Sequence, residues 1–303
     1  MSRFIVRARP NFMKTAPVVL SLAGRDGIAQ VLAHTGKHYD DRMSDVFFRQ
    51  LELPQPDVNL DVGSGSQAVQ TAQIMMRMEE ALMDQRPDLV LVYGNVNSTV
   101  VAALVCSKLH IPLGHVEAGL RSFDRTMPEE INRLLTDQVA DLLFTPSADG
   151  NENLAREGIA ADKIHLVGNA MIDTLVRLLP EAEALWESRA FMRRIDCRYA
   201  LVTLHRPSNV DAPESLGRIV DRLARITQGI ELVSPVHPRT RERIGELGLP
   251  VQNGNLRLIE PLGYLEFLAL QRHAALVITD SGRIQEEMTF PGMRRCRRTW
   301  SGL

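Results

Sequence analysis

Short apolar runs and amphipathic stretches alternate along almost the whole chain. The runs at 4–6, 89–93, 142–145, 163–167, 200–204, 230–233, 256–259 and 276–279 have the length and content of buried strands, and 111–116 reads the same way. Between them, 12–22, 68–83, 100–109, 129–139, 215–227 and 264–272 repeat apolar positions every three or four residues, the spacing of a helix with one buried face. Strands alternating with helices predict parallel sheets covered on both faces. After 168–173 comes a polar helical stretch, 180–194, and then a strong strand opens a second series. The pattern predicts two doubly wound, Rossmann-like α/β domains, residues 1–169 and 170–303. The second series stops after about four strands, fewer than an average sheet holds. The final stretch MRRCRRTW, 293–300, follows neither period, so the second domain is predicted to be incomplete.

Open α/β sheets bind ligands beyond the carboxyl ends of their strands. Residues that follow strands are therefore the first candidates for chemistry. Arg9 and Lys14 flank the start of the first helix, whose free N–H groups favour anions, and two cations there suit a diphosphate. The turn after 89–93 reads GNVNST, with two asparagines and no acid. Glu117 follows 111–116, with Arg121 nearby, and Glu129, Glu130 and Arg133 lie at the start of the next helix. Complementing the helix dipole would account for Glu130. His205, Arg206 and His237 also follow strands, where a histidine is as often structural as functional. Ser281 and Gly282 open a helix whose Glu286 or Glu287 could accept from ribose hydroxyls. Singly these signals are weak. Jointly they set charged groups at strand ends in both domains, a layout that suits a nucleotide-sugar.

Composition narrows the partners. The 303 residues are 45% hydrophobic and 24% charged, as in a soluble globular protein. A net charge of −2 gives no global electrostatic case for binding nucleic acid or membrane. The first residues have too short an apolar core for a signal peptide, and no run is long enough to span a bilayer. The three cysteines, Cys106, Cys197 and Cys296, are far apart and odd in number; they argue against a disulfide framework or a zinc site and fit a reducing cytoplasm. G-x-G-x-x-A at 63–68 is not the first βα turn and lacks the following acid, so it reads as a capped loop. H-x-E at 115–117 lacks the P-C-x-x-C of zinc deaminases, so that chemistry is excluded and no metal is expected.

Longer motifs then become legible. H-V-E-A-G-L-R-S at 115–122 and M-P-E-E-I-N-R at 127–133 are the most specific. Arg9-Pro10 with Lys14, G-N at 168–169 with I-D at 172–173, H-R at 205–206, P-V-H at 235–237, D-S-G at 280–282 and I-Q-E-E at 284–287 support them. From about Arg9 to Gly292 the chain resembles the non-hydrolysing UDP-N-acetylglucosamine 2-epimerases, whose fold is GT-B-like. The resemblance implies cofactor-free interconversion of UDP-GlcNAc and UDP-ManNAc in the cytoplasm, feeding cell-surface polysaccharide, by a homodimer. It implies that UDP leaves as a proton leaves C2, and that both return. On matching positions, Glu117 and Glu129 are the acid–base groups. Arg9, Lys14 and His205 hold the diphosphate, His205 also counting with the catalytic groups. Arg133 meets substrate, and Ser281, Gly282 and Glu287 hold UDP. His38, Glu130, Arg206 and His237 match a second, regulatory UDP-GlcNAc site.

The chain departs from that pattern in places. The family carries aspartate, one of its catalytic carboxylates, where this chain has Asn95; an amide can orient a substrate but cannot ionise to act as base. Arg7 and Arg283 replace glycines, and Lys37 replaces a glutamine before His38. Residues 294–303 share nothing with the strand and closing helices that relatives place there, as a frameshift and early stop would produce. The expected function is therefore a UDP-GlcNAc 2-epimerase, impaired in this form. The alternatives are a catalytically inactive UDP-sugar-binding protein or a GT-B glycosyltransferase.

Overall fold

The computed structural model describes residues 12–36, 48–63, 65–188, 199–204, 230–236, 256–290 and 293, the backbone of 2–8 and 299–300, and isolated residues between 214 and 223. The chain forms two compact units, Met1–Thr174 and Leu175–Leu303.

The first unit runs β1 (Ser2–Ala8), α1 (Phe12–Leu22), β2 (Ile28–Gly36), β3 (Val58–Val62), α2 (Gln67–Gln85), β4 (Leu89–Tyr93), α3 (Asn97–Leu109), β5 (Leu113–Val116), α4 (Pro128–Val139), β6 (Leu142–Thr145), α5 (Ala148–Arg156) and β7 (Ile164–Leu166). Its seven strands lie in the order β3-β2-β1-β4-β5-β6-β7, and every pair is parallel. The expected doubly wound α/β architecture is borne out. The order reverses between β1 and β4, which opens a crevice at their carboxyl ends. Val90, Val92, Val101, Leu113 and Leu143 form the centre of the core, each almost fully buried. Ser66 caps α2 by accepting from the Val69 N–H at 3.3 Å, so the G-x-G-x-x-A match is the capped loop that the sequence suggests.

Two strands of this sheet were not expected. β2 reads IAQVLAHTG, where alanine, histidine and threonine interrupt the apolar run. Parallel pairing with β1 on one side and β3 on the other makes it a strand. A helix α6 (Ala170–Ser188) also starts ten residues before the predicted 180. Met171, Thr174, Leu175, Leu178 and Ala182 recur at helical spacing and are buried to 1% exposure or less, and that stripe carries the helix through Pro180.

The second unit contains β8 (Tyr199–Thr203), β9 (Glu231–Pro235), β10 (Leu256–Ile259), α7 (Tyr264–His273), β11 (Leu276–Thr279), α8 (Gly282–Thr289) and β12 (Thr299–Trp300). Its sheet is also wholly parallel, in the order β10-β9-β8-β11-β12. The tail, expected to follow no period, supplies β12: Thr299 and Trp300 pair with Val277 and Ile278, so this sheet has five strands rather than four. Most of the helix predicted over 215–227 lies outside the described residues. Glu183 receives Arg272 and, at 2.9 Å, His273, whose ring stacks on Trp186 at 4.2 Å. Among the described residues no helix is long and apolar enough to cross a membrane, and no cluster of metal-ligating side chains occurs.

Candidate active site

The chemistry-bearing residues of the first unit gather at the carboxyl ends of β4 and β5. The chain leaves β4 through Gly94 at φ +63° and enters α3 within the GNVNST turn. Several backbone and side-chain groups of the turn are held. Thr99 Oγ1 donates to the Tyr93 carbonyl at 2.9 Å. The Gly94 N–H donates to the Val116 carbonyl at 3.1 Å. Asn132 Nδ2 on α4 donates to the Asn95 carbonyl at 3.0 Å and to Asn97 Oδ1 at 3.1 Å. Asn97 Nδ2 in turn donates to Gln70 at 3.0 Å and to Gln67 on α2. Asn95 thus sits in a turn clamped from β5, α3 and α4.

Glu117 follows β5 at φ +72°, a left-handed conformation that a side chain tolerates only where its surroundings impose it, at a cost of about 1–3 kcal/mol. The Glu117 and Ala118 N–H groups both donate to the Phe144 carbonyl, at 3.0 and 3.1 Å. The carboxylate meets Lys14 Nζ at 2.6 Å, and both side chains are largely shielded, at 13% and 17% exposure. The structure therefore brings together a cation from the first helix and a carboxylate from the end of a neighbouring strand. Sequence placed them at separate strand ends.

Helix α4 is unusual in what it buries: Glu130, Asn132, Thr136 and Asp137, with no apolar residue among them. Each has a polar partner. Glu130 accepts from the Ser122 and Phe123 N–H groups at 3.0 Å each and from Ser122 Oγ at 2.9 Å. Burial pushes its carboxyl up, but these bonds and Arg133 more than offset that and hold it below the usual range. Glu130 is thus buried and tied to residues 122–123, a load heavier than a helix-dipole role. Asp137 faces His115 Nδ1 at 2.6 Å, Arg121 Nη2 at 2.8 Å and the Gly119 N–H at 3.1 Å. Burial again raises the carboxyl, and His115 and Arg121 more than reverse it. Arg121 also donates to Glu157, from Nε at 2.7 Å and Nη2 at 2.5 Å. Gly119 has φ +80°, and a Cβ there would lie 2.5 Å from the Gly150 carbonyl, so no side chain fits. Arg121, singled out by sequence as a charged strand-end residue, is spent on this buried network.

Glu129 is exposed and lines a cleft of about 380 Å³ with Gln67, Gln70, Asn97, Ser98 and Asn132. Arg133 Nε lies 3.2 Å from Glu130 and 3.4 Å from the Glu129 carbonyl. In the second unit, Ser281 caps α8, its Oγ accepting from the Ile284 N–H at 3.5 Å, and Gly282 follows as the first helical residue. Glu287 is buried, at 1% exposure. Its Oε1 accepts from Tyr264 Oη and Arg283 Nε, both at 3.2 Å, while Oε2 has no hydrogen-bond partner among the described residues. The Arg283 guanidinium lies 5.1 Å from the centre of the Tyr264 ring. Arg9, His38, His205, Arg206 and His237 lie outside the described residues, and Arg7 is described only as backbone of β1. Sequence reasoning read Asn97 and Asn132 only as parts of the GNVNST turn and the M-P-E-E-I-N-R motif, and missed Asp137. The available signal was the run of polar residues at helical spacing in 130–137.

Comparison with known proteins gives the site a context. The model of the UDP-N-acetylglucosamine 2-epimerase family matches residues 21–295. A UDP-N-acetylglucosamine 2-epimerase of Methanococcus maripaludis is 43% identical over 290 residues, covering 93% of this chain and 78% of its own. A UDP-2,3-diacetamido-2,3-dideoxy-D-glucuronate 2-epimerase of Pseudomonas aeruginosa is 42% identical over 294 residues, covering 95% and 80%. The crystal structure of the Methanocaldococcus jannaschii UDP-GlcNAc 2-epimerase in complex with UDP-GlcNAc and UDP superposes with a TM-score of 0.83 at 42% identity, covering 94% of this chain and 80% of that one.

Proposed function

The chain belongs to the UDP-N-acetylglucosamine 2-epimerase family, and on that premise we propose that it interconverts UDP-GlcNAc and UDP-ManNAc by eliminating and re-adding UDP. The C2–H bond and the C1–O bond to the diphosphate break, a C1–C2 double bond forms, and the intermediate is 2-acetamidoglucal. UDP then rebonds to C1 and the proton returns to the opposite face of C2. No net oxidation occurs, so the reaction requires no redox cofactor.

The contact of Lys14 with Glu117 at 2.6 Å carries this reading. The bonds that break are on adjacent carbons, so a cation for the leaving diphosphate and a carboxylate for the sugar must be neighbours. In our reading Glu117 acts on the C2 proton and Glu129 is the second acid–base group. Asn95 orients the sugar, and Arg133 contributes to substrate binding. Lys14, with Arg9 and His205, neutralises the diphosphate. Ser281, Gly282 and Glu287 take UDP, the free Oε2 of Glu287 being suited to a ribose hydroxyl. Residues 1–169 and 170–303 form the two domains of a cytoplasmic homodimer that supplies cell-surface polysaccharide synthesis. A regulatory UDP-GlcNAc site would draw on His38, Glu130, Arg206 and His237, although the Glu130 carboxylate is already engaged by residues 122–123.

The comparable identity to the Pseudomonas enzyme supports a second reading within the same chemistry, a 2,3-diacetamido uronate as the sugar. Incubation with each UDP-sugar, followed by chromatography of the 2-epimers, tests both. Formation of UDP-ManNAc from UDP-GlcNAc supports the first reading. Turnover of the diacetamido uronate alone would replace it with the second. No turnover of either would overturn both.

A further inference from the structure

Both ring nitrogens of His115 face acceptors. Nδ1 lies 2.6 Å from Asp137 Oδ1, Nε2 lies 2.9 Å from the Gly94 carbonyl, and the ring is fully buried. The ring therefore bridges two elements, with one nitrogen to each. Asp137 also holds Arg121 and the Gly119 N–H, so the bridge is tied to the loop after β5.

We propose that His115 is a positioning residue that locks the Gly94–Asn95 turn to α4 and to the strand end bearing Glu117. The lock has three parts. The ring lies two residues before Glu117 on β5. Its Nε2 bonds the carbonyl immediately before Asn95. Its Nδ1 bonds Asp137, on the helix that carries Glu129 at its start. The three positions assigned to the reaction, Asn95, Glu117 and Glu129, are thereby referred to one buried ring. The functional part of this inference rests on the epimerase reading, while the local ordering does not.

The experiment uses the full chain with His115→Gln, whose amide cannot span both partners, and Asp137→Asn, which keeps the shape and withdraws the charge. Hydrogen exchange of peptides spanning 93–99 should quicken roughly tenfold or more in His115→Gln and less in Asp137→Asn, with 142–156 unchanged in His115→Gln. With UDP-GlcNAc, kcat of His115→Gln should fall roughly 10²-fold while KM stays within about threefold, as for misplaced rather than missing groups. Unchanged exchange at 93–99 or a raised KM at constant kcat each overturns the proposal. A wild type without epimerase activity would refute the functional reading alone, because the exchange still decides the lock.

Discussion

Replacing Asp137 by alanine should destabilise the first unit more than any single surface change. The carboxylate accepts from His115, Arg121 and the Gly119 N–H and is fully buried. Its loss leaves the His115 ring and the Gly119 N–H without that acceptor, while Arg121 keeps Glu157. Breaking a buried charge pair from one side costs about 3–5 kcal/mol. At about 2–4 °C per kcal/mol for a domain of this size, the melting temperature should fall by roughly 6–20 °C. Glu157→Ala is the control. Its side chain is 25% exposed and Arg121 retains Asp137, so about 1 kcal/mol is expected. Urea unfolding followed by far-UV circular dichroism, with hydrogen exchange across 113–122, measures both. If Asp137→Ala lies within about 1 kcal/mol of wild type, or Glu157→Ala costs as much as Asp137→Ala, the buried network is not the anchor described here.

Asn95→Asp should raise epimerisation by roughly 10² to 10⁴, the usual worth of one acid–base group, and equal turnover at saturating substrate would refute it. Glu117→Gln should abolish turnover yet leave UDP affinity within a few-fold by calorimetry; a collapse of affinity would make Glu117 a nucleotide ligand instead. Arg283→Ala should strengthen UDP binding several-fold and leave 2′,3′-dideoxy-UDP unaffected, because Arg283 holds Oε1, the other oxygen of the carboxylate whose Oε2 is proposed to receive the ribose, and so draws charge from it; unchanged or weaker UDP binding would count against that competition. Asp137 and Glu130 are both held below the ordinary carboxylate range of about 4. Their contribution to stability is complete above that range and disappears as pH falls through the depressed native values, so acid melts of Asp137→Asn should be flatter than those of the wild type.

The sheets were legible because β4, β6 and β11 are short runs of apolar residues, closed by threonine in the last two, and β10 is broken only by Arg257; the observed limits of all four match those read from sequence. β2 was not, because its small and polar residues become a strand only through neighbours distant in sequence. β12 was hidden for the same reason, in a basic stretch without periodicity. At the site, Lys14, Glu117 and Glu129 stood out as charges at helix starts and strand ends. Their partners did not. Asp137 lies in the polar-looking sequence of α4, and only the fold shows that this polar face is the buried one. His115 opened a quoted motif but drew no role once the zinc signature was excluded, because its contacts, Gly94 and Asp137, are 21 and 22 residues away in the chain.

The central claim is that the C2–H bond breaks and re-forms while UDP departs and returns. NMR of UDP-GlcNAc incubated with the protein in D₂O tests it most directly. The account requires UDP-ManNAc to appear with deuterium at C2, and deuterium to enter the remaining UDP-GlcNAc at the same carbon, faster in Asn95→Asp. UDP-ManNAc that retains its original C2 hydrogen, or no exchange and no epimer from either form, would contradict it.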